Sequence, residues 1–438
     1  MDTIRFELDH PGSTFKRMNA VNNGPVHKRH ASDQALGNLP AYRAARIPFA
    51  RNHDASYCAA YGAEHTVDVS AIFPCFDADE NDPASYDFAC TDEYILVTQE
   101  AGTETFYRLG QRIEHTIKKY NIHPPRDFAK WARICEHIIR HYNEGWANGF
   151  CMNLSYWEIW NEPDLAQDDA PYAAKTTWGG TQAQFFDFYE TAAKHLKACF
   201  PHLHIGGPAI AGRLDYAEDF LRMAKERQVP IDFFSFHFYG TDPKVFAAKI
   251  RDVRAMLDRY GFAGVESILN EWNYVRDFEK NWSYSLKKMI GAKGASFVLA
   301  CMAEGQKNPV DMLMYYDARA NCTMNGMFEV ATYAPRKGYY PFYWFGMMYD
   351  RREVRAENEP EHIFTLCGVD GAGKSLTMLT HYDENDDAAP RTVRLDFGRK
   401  AFYEVTLVGH GEETATFYLT DDPTLTLPVH TIALVREV

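Results

Sequence analysis

Apolar and polar residues follow two different periodicities along this chain, and the change falls near residue 350. From about residue 40 to 345, short apolar runs alternate with segments in which apolar residues recur at steps of three and four, as on one helix face. This pattern predicts helices over 126–146, 181–200, 243–260 and 283–304. Gly261 follows the third of them and is expected to end it in a left-handed conformation.

Between the helices lie runs of apolar residues that are typical of buried strands. They predict eight strands, at 45–50, 66–73, 104–109, 156–160, 203–206, 232–237, 267–269 and 312–316. Parallel strands need crossover connections, and eight such units favour a (β/α)8 barrel over an open doubly wound sheet. We therefore expect an α/β fold with a TIM barrel over 16–348.

Beyond residue 350 the pattern changes to alternation with a period of two, in runs such as 362–369 and 374–382 that turn-rich patches separate. Short alternating strands of this kind predict a small antiparallel β-sandwich, here over 349–438. Residues 1–15 are predicted to contain an N-terminal strand that is able to join this sandwich.

Composition and net charge argue against several classes of binding partner. The chain has 438 residues, of which 46% are hydrophobic and 24% charged, as in ordinary globular proteins. Its net charge of −14, without a basic run longer than a pair, argues against nucleic acid and anionic lipid as partners. Nine cysteines without a C-x-x-C pair argue against a disulfide framework and a cysteine zinc site. With no signal-peptide pattern and no long apolar run, we expect a cytoplasmic protein whose substrate is small enough to be imported.

The segment YWEIWNEPD at 156–164 carries the sharpest signal for chemistry. It is an apolar strand that stops at Pro163, because proline cannot donate a hydrogen bond to a neighbouring strand. Asn161 and Glu162 then lie at the carboxyl end of the strand, where catalytic groups sit in parallel barrels. The segment SILNEWN at 267–273 repeats the arrangement with Glu271 beside Trp272.

Two carboxylates at one barrel rim suit the cleavage of a glycosidic bond, in which one group protonates the departing oxygen and the other attacks or activates water. A single Glu after a strand is most often a surface residue, whereas two in Asn-Glu pairs beside Trp favour a functional interpretation. The acid must have a raised pKa while the other carboxyl stays ionised through hydrogen bonds. A gap of roughly 5–5.5 Å between them predicts retention of the anomeric configuration, and roughly 6.5–9.5 Å predicts inversion.

The segment WEIWNEPD resembles the acid/base motif of the retaining glycoside hydrolases of clan A. The chain as a whole resembles glycoside hydrolase family 39, the family of β-xylosidases and α-L-iduronidases. The segments that carry this resemblance are NNGP at 22–25, RNHD at 51–54, RLG at 108–110, the strand at 232–239 and ILNEWN at 268–273. The resemblance implies a retaining exo-glycosidase, β-xylosidase-like, that hydrolyses short oligosaccharides through a covalent glycosyl-enzyme intermediate. It implies no cofactor and no metal, and it suggests a homo-oligomer.

The resemblance also implies roles for individual residues. Glu162 would be the general acid/base at the end of the fourth strand, and Glu271 the nucleophile at the end of the seventh. Asn161 would hydrogen-bond the sugar 2-hydroxyl, and His53, after the first strand, would hold the sugar in the first subsite. The remaining predicted substrate-binding residues are His237 and Tyr239 after the sixth strand, with Tyr239 touching the nucleophile, and Trp272 beside the nucleophile.

Two positions depart from the family pattern. Asn270 stands where members typically carry Thr or a similar residue, and the eighth strand ends in Tyr316-Asp317 rather than in Trp. We expect Tyr316 to replace the missing ring and Asp317 to bind sugar. Because both changes lie near the first subsite, two alternatives stay open: a glycosidase of this family with another sugar specificity, and a catalytically silent sugar-binding protein on the same scaffold.

Two other patterns are interpreted as structural. Residues 368–375 match the P-loop pattern letter for letter, but an alternating run follows where a P-loop needs a helix. We therefore predict a β-turn there, and a nucleotide-binding protein is the third hypothesis. His137 and His141 have the spacing of zinc ligands on a helix, yet they flank its apolar stripe and lack the H-E-x-x-H order, so we expect them to bind no metal.

Overall fold

The computed structural model describes residues 2–29, 35–53, 65–320, 323–411 and 415–438, with the backbone alone for 27–29 and 35–36. Asp54 of the RNHD segment lies outside these residues. The strands are β1 (Asp2–Phe6), β2 (Arg17–Asn22), β3 (His27–Arg29), β4 (Ala35–Gly37), β5 (Phe49–Arg51), β6 (Glu104–Leu109), β7 (Tyr156–Ile159), β8 (His204–Ile210), β9 (Phe233–Gly240), β10 (Glu266–Tyr274), β11 (Met312–Tyr315), β12 (Arg352–Val354), β13 (Ala356–Glu357), β14 (Ile363–Val369), β15 (Ser375–His381), β16 (Arg391–Asp396), β17 (Tyr403–Val408), β18 (Thr416–Thr420), β19 (Thr424–Leu427) and β20 (Thr431–Glu437). The α-helices are α1 (Leu39–Ala44), α2 (Val69–Ile72), α3 (Ala89–Glu100), α4 (Phe128–Glu144), α5 (Gln182–Cys199), α6 (Leu214–Glu226), α7 (Pro243–Tyr260), α8 (Trp282–Met289), α9 (Ala292–Lys307) and α10 (Tyr340–Gly346).

Eight parallel strands close into a barrel in the order β2-β5-β6-β7-β8-β9-β10-β11, which confirms the predicted TIM barrel. The predicted strand at 66–73 is wrong, because that segment forms turns and the short helix α2. Its place is taken by β2, whose polar sequence RMNAVN hides it from a search for apolar runs. His53 consequently follows the second barrel strand, not the first.

Other predicted boundaries need smaller corrections. The helix predicted over 283–304 is two helices, α8 and α9, with a break at Ile290 and Gly291. The strand predicted at 45–50 shortens to β5, which spans three residues. Helix α7 has the predicted bounds, and Gly261 caps it with a φ of 90°, the left-handed conformation expected of this glycine.

The barrel interior is apolar at one end and polar at the other. Eight buried residues fill the apolar end: Ala20, Phe49, Phe106, Tyr156, Phe233, Ile268, Met312 and Met314. Because successive side chains of a strand alternate between the interior and the helices, the polar residues near the carboxyl ends of the strands also face inward. This polar end holds the groups described below.

The C-terminal residues form two packed sheets, with strand orders β12-β14-β15-β20-β17-β18 and β13-β1-β16-β19. Strand β1 pairs with β16 in parallel, so the N-terminal strand is part of the second sheet. The P-loop-like residues form the β14–β15 turn, where the Asp370 amide donates to the Lys374 carbonyl, and strand β15 follows as predicted. Among the described residues, no helix combines the length and apolar content that crossing a bilayer requires.

Candidate active site

Glu162 and Glu271 converge at the carboxyl end of the barrel, although 109 positions of sequence separate them. Glu162 follows the fourth barrel strand, β7, and Glu271 lies in the seventh, β10. One carboxylate oxygen of each residue and a ring nitrogen of His237 all lie within 4.8 Å of one another. The side chains of Glu162 and Glu271 are 10% and 5% exposed, so both are largely buried yet reach solvent.

The chain reverses sharply where Glu162 leaves the strand. Trp160 and Glu162 both have left-handed backbone conformations, with φ of 72° and 47°. Such conformations cost free energy in residues other than glycine, so the surroundings must hold them. The Glu162 amide donates to the Ala209 carbonyl at 2.9 Å, and the Thr177 hydroxyl donates to the Glu162 carbonyl at 2.5 Å. These bonds fix the acid side chain over the barrel mouth.

A register shift delivers the second carboxylate. The pairing of β10 with β9 shifts between Leu269 and Glu271, as in a β-bulge. A bulge breaks the strict alternation of side chains, so two consecutive residues can face one side of a strand. Both Asn270 and Glu271 accordingly make their hydrogen bonds inside the barrel.

Arg51 connects the groups beneath the two carboxylates. Its Nη1 donates to Glu271 at 2.8 Å and its Nη2 donates to Asn161 Oδ1 at 2.6 Å. Its Nε donates to Glu158 at 2.6 Å, and Nη1 also meets Asn22 Oδ1 at 3.1 Å. A planar guanidinium with donors in fixed directions can orient several acceptors at once. Arg51 therefore sets the positions of both Glu271 and Asn161.

Glu158 anchors this arrangement from below. Its Oε1 accepts hydrogen bonds from Ser235 and Asn270, each at 2.6 Å, while its Oε2 accepts from Arg51. Its side chain has no exposed surface. A buried carboxylate needs this full set of donors, because an unpaired charge in the interior is costly.

His237 and Tyr239 lie on consecutive inward positions of β9 and face the two carboxylates. Nδ1 of His237 is 2.7 Å from Oε1 of Glu162 and 3.5 Å from Oε2 of Glu271. Burial lowers the pKa of His237, which favours the neutral imidazole. The Tyr239 hydroxyl donates to Oε2 of Glu271 at 2.7 Å, and burial together with the charge of Glu271 raises the pKa of this phenol well above its usual value.

Opposing influences act on Glu271. Burial raises its pKa, and the negative charge of Glu162 acts in the same direction. Electrostatic attraction to His237, the Arg51 guanidinium and the hydrogen bond from Tyr239 oppose this effect because they stabilise the ionised carboxylate. The net direction is a pKa above the usual value of Glu, so the expected ionised state of Glu271 depends on these three groups.

The other side chains that were predicted to bind substrate divide into two groups. Nε2 of His53 lies 3.3 Å from Oε1 of Glu271, and its ring packs perpendicular to that of Tyr316 at 5.8 Å. Tyr316 also lies 6.5 Å from the ring of Tyr239, and it is partly exposed. Asn161 is buried beside Arg51. His53, Asn161 and Tyr316 thus surround the carboxylates.

Trp272 and Asp317 are placed differently. The ring of Trp272 has no exposed surface and packs between the barrel and its helices, against Phe246 and Phe297. We therefore correct its predicted role from contacting substrate to supporting the wall behind Glu271. Asp317 is buried, and its carboxylate pairs with Arg319 at 2.9 Å, so a sugar would have to compete with this ion pair.

Buried polar atoms at the site are open to a ligand. Among the described residues, the buried atoms that lack a hydrogen-bond partner include Nδ2 of Asn161 and Nε2 of His237. Buried polar atoms are normally paired, and those left without a partner at a concave site are candidates for substrate contacts. The Asn161 amide is oriented by Arg51 on its oxygen, which directs its nitrogen elsewhere.

Sequence reasoning did not assign roles to Arg51 and Glu158. Both residues stand inside quoted motifs, RNHD and WEIWNEPD, where a charged residue in a buried strand is the available signal. Such a residue is rare unless it is paired. Neither motif, however, shows which partner the other strand supplies.

Within the described ranges, two clusters have the spacing of metal ligands, but neither is assigned a metal. Glu162, His237 and Glu271 form the first, and the positive charge of Arg51 lies 2.8 Å from Glu271. Glu136, His195 and Cys199, between α4 and α5, form the second. There His195 already lies 2.7 Å from the Glu136 carboxylate, and Arg140 donates to the other oxygen.

A parallel barrel that presents two facing carboxylates at its carboxyl rim is an arrangement used by glycoside hydrolases. The sequence profile described as "Glycosyl hydrolases family 39" matches residues 64–329 of this chain. The chain therefore belongs to glycosyl hydrolases family 39.

Two curated relatives agree with this assignment. A protein named "Beta-xylosidase" from Geobacillus stearothermophilus is 36% identical over 235 residues, which is 48% of this chain and 41% of the relative. Another of the same name from Caldicellulosiruptor saccharolyticus is 30% identical over 178 residues, covering 38% of this chain and 34% of the relative. The chain thus spans less than half the length of each of these relatives.

Solved structures show the same fold over the whole chain. A glucosidase from Croceicoccus marinus superposes with a TM-score of 0.79 at 21% identity, covering 100% of this chain and 99% of that one. A monomeric beta-xylosidase from Caulobacter crescentus CB15 gives a TM-score of 0.72 at 14% identity, with 100% and 99% covered. These likenesses establish the architecture of a barrel with an appended sandwich.

Proposed function

We propose that this protein is a retaining exo-glycosidase that hydrolyses short oligosaccharides, with β-xylosidase-like action as its leading activity. The observation that carries the proposal is that one carboxylate oxygen of Glu162 lies within 4.8 Å of one carboxylate oxygen of Glu271. This separation supports retention, because inverting enzymes leave roughly 6.5–9.5 Å for a water molecule.

The reaction has two steps. The ionised carboxylate of Glu271 attacks the anomeric carbon while the protonated carboxyl of Glu162 gives its proton to the departing glycosidic oxygen. Glu162, now ionised, then takes a proton from water, whose oxygen attacks the glycosyl ester and frees Glu271. His237, at hydrogen-bond distance from Glu162, supports the exchange of protonation state at that residue.

The identity of the sugar is the finer part of the proposal. Xylose is suggested by the printed names of the two curated relatives. The sequence departures at Asn270 and Tyr316 lie against the site, since Asn270 donates to Glu158 and Tyr316 packs on His53. A glycosidase of this family with a sugar other than xylose is therefore the first alternative to test. A cytoplasmic location and a homo-oligomer remain predictions from the sequence.

A panel of chromogenic glycosides tests the activity, with both anomers of xylose, glucose and arabinose. We expect release from one sugar series, loss of release in Glu271→Ala, and partial rescue by azide with the glycosyl azide in the configuration opposite to that of the substrate. Binding without release from every sugar would instead favour a silent sugar-binding protein. Full activity in Glu271→Ala would refute the assignment of the nucleophile.

A further inference from the structure

An aromatic pair, with Phe278 exposed and Trp282 partly buried, lies on the segment that follows strand β10 and is separated from Glu271 by Tyr239. The ring of Phe278 stacks on that of Trp282, with centroids 5.5 Å apart and an angle of 27° between the planes. Phe278 also packs perpendicular to Tyr239 at 5.3 Å, and Tyr239 donates to Glu271. We propose that Phe278 and Trp282 form a stacking platform for the leaving-group sugar. This inference rests on the proposed function.

Exposure is the first argument for the platform. Phe278 is 56% exposed although two other rings contact it. Burying a side chain of this kind is worth about 1.5–3 kcal/mol, so a large ring left open next to a catalytic site forgoes stability. Flat apolar rings at a rim are characteristic of ligand sites, and the C–H face of a pyranose is the apolar surface that such a ring can cover.

The second argument is that the platform is held in place without a ligand. Asp277 Oδ1 accepts from the backbone amides of Glu279 and Asn281, each at 2.9 Å, which closes a turn around Phe278. The Arg276 amide donates to the Ser285 hydroxyl at 3.0 Å, tying the segment to helix α8. A ring positioned in advance loses little further freedom when a sugar stacks on it.

The sandwich contributes to this positioning through its β15–β16 loop. Glu384 accepts a charge-assisted hydrogen bond from Arg276 and another from the Tyr274 hydroxyl at 3.1 Å. Asp386 accepts from Lys288 at 2.6 Å and from Lys293 at 2.8 Å. The ion pairs with Lys288 and Lys293 keep the pKa of Asp386 well below its usual value, so it stays charged at neutral pH. The appended domain thus fixes the segment that presents Phe278.

The strands that carry each group indicate on which side of the cleaved bond Phe278 lies. His53 and Tyr316, which surround Glu271 from one side, come after β5 and β11. Glu162, which must meet the departing oxygen, contacts His237 of β9. Tyr239 lies two residues further along the same face of β9. Its hydroxyl donates to Glu271, its ring lies 6.5 Å from that of Tyr316, and Phe278 packs against it at 5.3 Å. The first sugar faces His53 and Tyr316, and Phe278, which Tyr239 separates from Glu271, is assigned to the sugar beyond the departing oxygen.

Substrates that differ only in the leaving group test this assignment. The enzyme is assayed on a disaccharide and on the glycosyl fluoride of the same first sugar, because fluoride is too small to reach the platform. In Phe278→Leu we expect kcat/KM to fall by about tenfold for the disaccharide, the size expected of one aromatic contact, and to stay within about twofold for the fluoride. Phe278→Tyr, which keeps the ring, should retain the disaccharide activity.

A second readout separates a subsite from a structural role. When a free sugar is added as acceptor, it must occupy the leaving-group position, so the ratio of transfer to hydrolysis should fall in Phe278→Leu and in Trp282→Leu. Phe402→Leu is the matched control, since Phe402 is 62% exposed but lies on the sandwich. Its two kcat/KM values and its transfer ratio should equal those of the wild type.

Three results would overturn the inference. An equal loss on the disaccharide and the fluoride would mean that the ring supports the site or the first sugar. Unchanged disaccharide activity in Phe278→Leu would mean that the ring contacts no substrate, and a constant transfer ratio would exclude the leaving-group side. Failure of the proposed function is distinguishable from all three, because the wild-type protein would then cleave no glycoside of the panel.

Discussion

Arg51 and Glu158 form an ion pair at 2.6 Å in which neither side chain has exposed surface. The same guanidinium also meets Glu271 at 2.8 Å, so one positive charge serves two carboxylates. In the proposed reaction Glu271 loses its charge when it becomes a glycosyl ester. Arg51 then keeps Glu158 as its partner, and no unpaired cation is left in the interior, where it would be costly.

Removal of Glu158 should therefore damage both stability and turnover. In Glu158→Ala, Arg51 loses its Nε partner, and Ser235 and Asn270 lose their acceptor. We expect a loss of about 3–5 kcal/mol in the free energy of unfolding, as for one broken buried pair, together with a fall in kcat. Urea denaturation and steady-state kinetics measure the two effects.

The control is the exposed pair of Arg46 and Asp350, whose side chains are 46% and 69% exposed. Asp350→Asn should cost less than about 1 kcal/mol, because solvent screens such pairs. Equal losses of unfolding free energy in Glu158→Ala and Asp350→Asn would show that the buried Arg51–Glu158 pair stabilises the fold no more than an exposed pair does.

Loss of the Tyr239 hydroxyl should move the acid limb of the pH profile upward. This hydroxyl donates to the ionised form of Glu271, so Tyr239→Phe removes a group that lowers the pKa of Glu271. A carboxyl of higher pKa remains protonated, and unable to attack, up to a higher pH. A hydrogen bond to a charged group is worth about 1.5–3 kcal/mol, which corresponds to about one to two pH units.

The acid limb of kcat/KM reports the free enzyme, so it is the quantity to compare. Tyr260→Phe is the control, since its hydroxyl meets Arg222 on the outside of the barrel, and its profile should match that of the wild type. An unchanged or lowered acid limb in Tyr239→Phe would contradict the role given to this hydrogen bond.

Glu162→Ala should affect substrates according to their leaving groups. Without the proton donor, glycosides of poor leaving groups should lose about 10²–10⁴-fold in kcat/KM, while those of dinitrophenol should lose little. The basic limb of the pH profile should also flatten in Glu162→Ala. Glu266→Ala, at the opposite end of β10, is the control and should show no dependence on the leaving group. A uniform loss across leaving groups would reassign Glu162.

The strand pattern predicted the architecture because most barrel strands are apolar on both faces. Strands β6 and β7 were found at or near their observed bounds for this reason. Helix α7 was found because its apolar residues recur at steps of three and four. Strand β2 escaped because two buried polar residues interrupt its apolar run. Asn22 points into the polar interior and meets Arg51, whereas Asn19 faces the helices and donates to the carbonyls of Ala45 and Phe342. The false strand at 66–73 contains apolar residues that pack on the barrel from a turn and a short helix.

Some residues of the candidate site could likewise be predicted from the sequence, and others could not. Glu162 and Glu271 could be predicted because each ends a recognisable strand in an Asn-Glu pair. The role of Arg51 depends on contacts with residues 107 and 220 positions away, which no local pattern encodes. Trp272 was misassigned because it directly follows Glu271 in strand β10. Successive side chains of a strand point to opposite faces, so Trp272 faces the helices and not the site.

The sandwich should influence catalysis through Glu384, although the groups described above around Glu162 and Glu271 all come from the barrel. Glu384→Gln removes the charge that holds Arg276, and with it the segment that carries Phe278. We expect a rise of a few-fold in KM for the disaccharide with little change in kcat, because a less ordered platform weakens binding before it affects the reacting atoms. Glu404→Gln is the control, since it removes a comparable ion pair, with Arg436, inside the sandwich. A disaccharide KM that is the same in Glu384→Gln as in the wild type would show that the platform is ordered without the sandwich.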